Sequence, residues 1–599
     1  MCGIFGYFGA DERAHMDRMA SLLTHRGPDD FGYHATEQVG VGNTRLSIID
    51  LAHGHQPFHA RDGKVVVVQN GEIFNYKELM AELEELGYVF ETQCDTEVIL
   101  HGYRAWGEHF VERLNGMFAI AVWDAEKEVL HLYRDRIGVK PLYYYQHEGR
   151  FLFASEIKAI LGAGVERVPN KEALHHFLSF NYTPTPFTFF EHIHQVKPGH
   201  HLSISQAGVQ ERRWWDFTAV PQAYPESEEA VIEELMALLK DATRIRLRSD
   251  VEIGAFLSGG VDSSSVVGLA TQQMERPLRT FSIGFEDARY DESPYAKAAS
   301  ERFHTEHISR IVEPDMLQHW PFATYYCDQP HGDVSFMPTY CVSQLAAEHL
   351  KVVLTGDGSD ELFAGYDKYK AFAPEGEGWQ QRYFESISLL SHAEKQALYG
   401  EEMAHLKTLE SYQLADDFFA RVKGWDGLNQ MLAFDMEYLL SGNNLAKPDR
   451  MGMAVSIEAR TPFMDYRVME YALSLPGDYK LRDGETKYIL KKAVSDLIGE
   501  DLAYRKKQMF TVPIGDWLSS SLSGFMQSML CSNQFAARGL FDQAVVQRMV
   551  NEHRDGSANH TRILRALIAI ELWYRIFIDR DELAPPSFEE LGIELPKVA

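Results

Sequence analysis

Cysteine is scarce, with five residues in 599, at positions 2, 94, 327, 341 and 531. They form no CxxC pair and no Cys/His spacing of a zinc site, and an odd number spread this widely does not make a disulfide scaffold. Positive charge is also short. With 58 Lys and Arg against 87 Asp and Glu, the formal net charge of −29 excludes a broad nucleic-acid or anionic-membrane surface, because neutralising phosphates requires a basic footprint. Any phosphate chemistry must use a local pocket. No run of eighteen apolar residues occurs, and the first thirty residues carry Asp11, Glu12, Asp17, Asp29 and Asp30 without an apolar signal-type core. The expectation is a cytoplasmic protein in a reducing compartment, with neither export signal nor membrane span.

What is abundant is length. A chain of 599 residues exceeds what one hydrophobic core supports, so at least two domains are expected. Up to about residue 215 short β-type runs alternate with turns: Val65 to Gln69, Phe118 to Trp123, Val129 to Tyr133, Leu142 to Tyr145 and Phe151 to Ala154. Helical patterns over Tyr76 to Leu86 and Thr96 to Trp106 interrupt them. A polar, proline-bearing stretch places a linker at residues 216–228, and an amphipathic helix starts near Glu228. Beyond it, apolar strands (Ile253 to Leu257, Arg279 to Phe285, Lys351 to Leu354) alternate with helices, the grammar of a parallel α/β sheet, and the text past about residue 370 is mostly helical.

Cys2 follows the initiator methionine. Removal of Met1 would leave a thiol and a free α-amine on one residue, and an amine with pKa near ~8 can take the thiol proton close to neutral pH. Further polar clusters follow: His25-Arg26-Gly27-Pro28-Asp29, Arg45-Leu46-Ser47-Ile48-Ile49-Asp50, Asn70-Gly71-Glu72 after a β run, and Cys94-Asp95 ahead of a helix. Each alone has an ordinary structural explanation, such as a turn at Asn70-Gly71 or a helix N-cap at Asp95. Together with Cys2, in this order, they resemble the class II glutamine amidotransferase domain, an N-terminal-nucleophile hydrolase with an αββα sandwich. The resemblance covers about residues 2–215 and implies roles. Cys2 would attack the glutamine side-chain amide, and the Asn70 side chain and Gly71 N–H would form the oxyanion hole. Arg45, at the head of the run Leu46, Ser47, Ile48 and Ile49, would pair with the substrate α-carboxylate. Glu72 and Asp95 would hold its α-ammonium.

In the second half, Leu257-Ser258-Gly259-Gly260-Val261-Asp262-Ser263-Ser264 follows an apolar strand and opens a helix. Glycines let backbone amides approach a pyrophosphate, a helix N-terminus favours negative charge, and the serines add donors. Downstream, Thr355-Gly356-Asp357-Gly358-Ser359-Asp360-Glu361 gathers carboxylates in a glycine-rich turn. Across from a pyrophosphate loop such carboxylates suit Mg²⁺, and Asp262 and Asp360 are the expected ligands. The SGGVDSS loop resembles that of ATP pyrophosphatases, which form AMP rather than ADP. With Tyr290-Asp291-Glu292-Ser293, Asp449-Arg450-Met451, the run Glu458 to Asp465 and Lys487, the segment 229–585 is similar to the asparagine synthetase domain, an adenine nucleotide α-hydrolase-like parallel-sheet fold with a helical C-terminal part.

That resemblance puts Leu257, Ile283, Thr355 and Gly356 against the adenosine of ATP, and Asp357 and Lys487 at the reacting groups. Arg505-Lys506-Lys507 would help hold pyrophosphate, or else form a solvated basic surface. Thr355, Asp357, Gly452 and Met464 depart from the commonest family wording, and what they leave open is the acceptor acid. The implied reaction is glutamine-dependent amidation of a carboxylate through its adenylate, aspartate to asparagine first, with a secondary-metabolite or cell-surface sugar carboxylate as the alternative. The partners expected are glutamine, ATP and the acceptor, with a homodimer as a candidate assembly.

Overall fold

The computed structural model describes residues 2–287, 289–312, 314–506 and 514–594. Lys507, the last residue of the expected pyrophosphate-binding run, lies outside them.

Among the described residues, the first half contains twelve strands. They are β1 (Cys2–Phe8), β2 (Asp30–Ala35), β3 (Val39–Arg45), β4 (Phe58–His59), β5 (Val65–Ile73), β6 (Gly116–Asp124), β7 (Val129–Arg134), β8 (Tyr143–His147), β9 (Arg150–Ala154), β10 (Ile193–Gln195), β11 (His200–Ser205) and β12 (Gly208–Arg213). They form two six-stranded sheets, ordered β10-β8-β9-β1-β3-β2 and β12-β11-β7-β6-β5-β4, with antiparallel pairing throughout.

The period of two along each strand explains the stacking. Ile4 and Phe8, Val39 and Val41, Val66 and Val68, Ala119 and Ala121, and Phe151 and Phe153 make one buried cluster between the sheets. Their odd-phase neighbours face outward: Phe5 and Tyr7 join a cluster with Met16 and Met19 of the helix Met16–Ser21, and Val65 and Val67 one with Val98 and Ile99 of the helix Asp95–Trp106. The result is the αββα sandwich.

One expectation needs correcting. A turn is expected at Asn70-Gly71, after the run ending at Gln69, but β5 continues to Ile73, with Asn70 opposite Ala119 and Gly71 opposite Phe118. Gly71 has φ 148°, and a Cβ there would stand 2.0 Å from the Met117 carbonyl oxygen, so close strand contact, not a hairpin, requires the glycine.

The segment 216–228 lies on the second half: Ala223 N–H donates to the Ser474 carbonyl at 2.8 Å. Ser227 then caps the helix Glu228–Arg246, accepting from Ala230 N–H at 3.2 Å. Val231, Leu235, Leu239 and Ala242 form its buried stripe at helical spacing. Strands β13 (Ile253–Phe256), β14 (Arg279–Phe285), β15 (Glu306–Val312), β16 (Val352–Leu354) and β17 (Glu458–Arg460) make a parallel sheet ordered β15-β14-β13-β16-β17. The chain leaves β13 first to one side and later to the other, which makes the C-terminal end of β13 the topological switch point where ligands of open α/β sheets bind. The SGGVDSS loop begins there. The remaining chain is mostly helical, and its helix Thr561–Phe577 is buried over most of its circumference.

Candidate active sites

Extending the strand alternation to the strand ends brings the first site together. Cys2 is in phase with Ile4, Asn43 and Arg45 with Val41, Asn70 with Val68, and Ser155 with Phe153, so all five enter the inter-sheet space at one end. Cys2 stands directly opposite Arg45 in the β1–β3 register. The Cys2 nitrogen, which becomes the α-amine once Met1 is removed, donates to Asn70 Oδ1 at 3.2 Å, and Asn70 Nδ2 donates to Ser155 Oγ at 3.3 Å. Burial pushes the Cys2 thiol up, opposed by hydrogen bonds from the Asn43 side chain and the Leu46 backbone and by Arg45.

The run after Arg45 curls back on it. Arg45 Nη2 donates to the carbonyls of Ile49 (3.0 Å) and Asp50 (2.8 Å), which aims the guanidinium, and Ser47 N–H is held by Asp29 at 2.7 Å. Asp95 opens its helix; its Oδ2 accepts from Ile73 N–H (2.9 Å) and Gln69 Nε2 (3.1 Å). Burial raises its carboxyl nonetheless. Glu72 is buried as well, and burial followed by the charge of Glu458 raises it well above the carboxylate range. Cys94 adjoins Asp95, and burial and that carboxylate hold its thiol far up, so it makes a poor nucleophile.

In the second site, Ser258 N–H and Oγ lie 3.2 Å from Ser263 Oγ, and Gly260 N–H donates to Ser258 Oγ at 3.3 Å, folding the turn over the start of the helix Val261–Thr271. Gly259 has φ 71°, and a Cβ there would be 2.4 Å from the Tyr295 backbone. Arg505 donates to the Gly259 carbonyl (2.8 Å) and pairs with Glu292 (2.7 Å). Leu257, Ile283 and Thr355 are buried at strand ends, and Gly356 packs against Asp262 and Ser263. Ser264 is buried in the helix, its hydroxyl without a hydrogen-bond partner.

Lys487 draws the expected metal ligands together. Its Nζ is 2.5 Å from Asp262 Oδ1 and 2.7 Å from Asp360 Oδ1, and Ser359 Oγ donates to Asp262 at 2.7 Å. Burial opposes the ammonium, but the two carboxylates outweigh it and raise its pKa. Lys487 has left-handed backbone angles (φ 54°, ψ 32°), a conformation that non-glycine residues adopt at a cost of about 1–3 kcal/mol and that is found at functional sites. The donor set fits a hard divalent cation: two carboxylates already converge on one positive charge beside the loop, and magnesium takes one or two carboxylates with phosphate oxygens. Asp357 is raised by burial, against the pull of Lys447.

A buried ionic lattice joins the first half of the chain, at Cys2, to the second half, at Asp449 and Arg450. Arg26 Nε donates to the Cys2 carbonyl (3.1 Å), while its Nη atoms reach Glu156 (2.8 Å) and Asp449 (3.0 and 3.1 Å). Arg450 pairs with Glu156 (3.0 Å) and Asp328 (3.3 Å), and Lys158 with Asp328 (2.8 Å). Beside it lies a cavity of about 20 Å³, bounded by Tyr143, Thr183, His331, Ser441 and Asp449, about one water-sized site. The place of Ser155 beside Asn70 and the dual grip of Arg26 have no counterpart in the sequence motifs.

Residues 234–575 match the family model described as asparagine synthase, and residues 1–215 that of the glutamine amidotransferase domain. The chain is 32% identical to glutamine-hydrolysing asparagine synthetase 1 of Bacillus subtilis, over 97% of both chains. It is 30% identical to asparagine synthetase 3 of the same organism, over 97% of this chain and 100% of that one. A Penicillium rubens protein named amidase chyE is 28% identical, over 92% of this chain and 95% of the relative.

Proposed function

This chain belongs to the asparagine synthase family, and from that premise we propose that it forms a carbon–nitrogen bond, taking nitrogen from glutamine and giving it to a carboxylate activated as its adenylate. The observation that carries the reading is the presence, in one chain, of a thiol whose own nitrogen reaches Asn70 and a glycine-serine loop ending on Asp262 with Lys487 and Asp360 behind it. We assign glutamine hydrolysis to residues 2–215, a linker to 216–228 and synthesis to 229–585.

In the first site the freed amine of Cys2 takes the thiol proton, and sulfur attacks the glutamine side-chain carbonyl. The Asn70 amide and Gly71 N–H stabilise the oxyanion, a contribution worth about 3–4 kcal/mol per donor. The amine returns the proton to the leaving ammonia, and water releases glutamate from the thioester. Arg45 receives the α-carboxylate through its planar fork, and Glu72 and Asp95 the ammonium.

In the second site the acceptor carboxylate attacks the α-phosphorus of ATP and expels pyrophosphate. Leu257, Ile283, Thr355 and Gly356 line the adenosine, and the loop Ser258 to Ser264 cradles the phosphates. Lys487 supplies positive charge to the crowded phosphorus, and Asp357 stands at the acyl group. A magnesium ion held by Asp262 and Asp360 would neutralise phosphate oxygens. Ammonia then attacks the acyl carbon and AMP departs. Free ammonia is mostly protonated in water, so direct delivery from the first site to the second preserves the nucleophile.

Aspartate is the first acceptor, giving asparagine. The relative named as an amidase favours keeping a second reading, the same chemistry on another carboxylate. Five free thiols among the described residues suit a reducing cytoplasm. Incubation with glutamine, MgATP and aspartate should yield AMP, pyrophosphate and asparagine by mass spectrometry. Formation of ADP overturns the adenylate; AMP formation with another acid and none with aspartate overturns the acceptor.

A further inference from the structure

On the outer face of the second six-stranded sheet, strand alternation sets two imidazoles side by side. Leu130, Leu132, Leu202 and Ile204 point into the inter-sheet core, so His131 and Tyr133 of β7 and His201 and Ser203 of β11 point the other way. The register puts Ser203 opposite His131 and His201 opposite Tyr133. His131 Nδ1 lies 2.9 Å from His201 Nε2, and Ser203 Oγ lies 3.3 and 3.1 Å from the same two nitrogens. The helix Asp95–Trp106 continues into the 3-10 helix Gly107–Arg113, which packs Phe110 on Tyr133. Its Glu108 brings a carboxylate oxygen within 4.8 Å of nitrogens on both histidines.

The hydrogen bonds leave a lone pair directed at this point. Tyr103 OH donates to Asp124 Oδ2 at 2.8 Å and lies 3.2 Å from His131 Nε2. With its one proton spent on Asp124, it accepts from Nε2–H, and the neutral ring presents a bare Nδ1. A carboxylate-backed partner on the far nitrogen is what orients metal-ligating histidines. Burial holds His131 and His201 down to about 4 and about 3, so both rings are neutral at pH 7, as ligation requires. Tyr133 adds an independent observation. Its ring stacks flat on His201, centroids 4.2 Å apart, and its fully buried hydroxyl has no hydrogen-bond partner among the described residues, although Tyr103, Glu108 and Arg212 are close enough for their charges to act on it. A buried hydroxyl so placed calls for a polar ligand. The nearby cations, Lys127 at 3.2 Å from Asp124 and Arg212 opposite His201, are balanced by Asp124 and Glu108.

We propose that His131 Nδ1, His201 Nε2 and a Glu108 oxygen bind a divalent transition-metal ion of the zinc class, with a water beside Ser203 in the fourth place. Two imidazoles and one carboxylate suit zinc, whereas magnesium and calcium take oxygen donors. Tetrahedral ligation sets such donors about 3.3 Å apart, so the two nitrogens part slightly and Glu108, part-exposed on its short helix, swings in. The ion ties β7 and β11 to the far end of the helix that Asp95 opens. No motif spacing announces it, because His131 and His201 are 70 residues apart and meet only through strand pairing.

The test uses the full chain carrying Cys2→Ala, since a terminal thiol and amine would themselves chelate the probe. Protein stripped of metal by a chelator is titrated with Co²⁺ alone, without ATP. One ion per chain should give the visible d–d absorption of a tetrahedral nitrogen–oxygen site, with no thiolate charge-transfer band. His131→Gln and His201→Gln should abolish the bands. Glu108→Gln, a part-exposed isostere that leaves the fold alone, should weaken binding at least about 10-fold, and Tyr103→Phe about 10- to 100-fold. Excess Zn²⁺ should raise the melting temperature of the parent by about 5 °C and that of His201→Gln not at all. Absence of the bands in the Cys2→Ala chain overturns the site, as does equal Co²⁺ affinity in the parent and Glu108→Gln. Neither readout involves turnover, so the outcome stands apart from the proposed reaction.

Discussion

Arg460 Nη2 lies 3.3 Å from Glu72 Oε1, so a guanidinium on β17 of the parallel sheet pairs with a carboxylate of the proposed glutamine pocket. The same arginine holds Glu458 at 2.5 Å, and its carbonyl accepts from Thr355 N–H at 2.8 Å, beside the proposed nucleotide site. Two buried carboxylates therefore share this guanidinium. Arg460→Met should cost about 3–5 kcal/mol, the usual penalty for breaking a buried pair, read as a lower melting temperature. Arg460→Lys keeps the charge and loses the fork, so the KM for glutamine should rise about tenfold while ammonium-supported synthesis persists. An unchanged glutamine KM in Arg460→Lys would disconnect Arg460 from the pocket.

Cys2→Ala tests the division of labour. It removes the sulfur nucleophile and leaves the parallel-sheet half untouched, so glutamine hydrolysis should fall by at least about 10³-fold and synthesis from added ammonium should survive. Intact-mass measurement must first establish that Met1 is gone. Residual glutamine-driven synthesis at wild-type rate would remove Cys2 from the mechanism.

Much of this was legible in the sequence, for a physical reason. Strand alternation fixes which face a residue takes, so the shared phase of Cys2 with Ile4 and of Asn70 with Val68 follows from residue order alone. The strand–loop–helix syntax around Ser258 to Ser264 is equally local. What was not legible depends on contacts between distant stretches. Asn70-Gly71 reads as a turn until β6 is laid beside it. Ser155, which accepts from Ile4 N–H at 3.0 Å and from Asn70, is an ordinary serine at a strand end. Arg26 and Arg460 sit in polar runs whose partners, Asp449 and Glu72, are hundreds of residues away.

Asp360→Asn addresses the second site. Removing one of the two carboxylates around Lys487 deprives both the lysine and a metal of a partner, so pyrophosphate release should drop by about 10²-fold or more, with glutamine hydrolysis retained. Magnesium titration of the variant should show a weaker apparent affinity than wild type. Equal magnesium dependence in the two proteins would exclude Asp360 as a ligand.

Lys395 gives a pH signature in stability. It is buried, donating to Ser411 Oγ (2.9 Å) and touching His175 Nε2 (2.9 Å), and burial, partly offset by Glu410, lowers its pKa to about 7. The unfolded chain keeps this lysine protonated up to about pH 10.4. Between those two values the unfolded state binds a proton that the folded state lacks, so stability contributed by this group rises with pH, by at most about 1.4 kcal/mol per unit. Below pH 7 both states are charged and the full burial penalty applies. His175 and His176 face the amine, but burial followed by Lys395 pushes them down to about 2 and about 4. They stay neutral across the window and add no slope. Relative to Lys395→Met, the wild-type melting temperature should therefore climb from pH 7 to 9.5, and the variant should be the more stable of the two at pH 6. Parallel curves over that range would show that the amine is not held neutral by its burial.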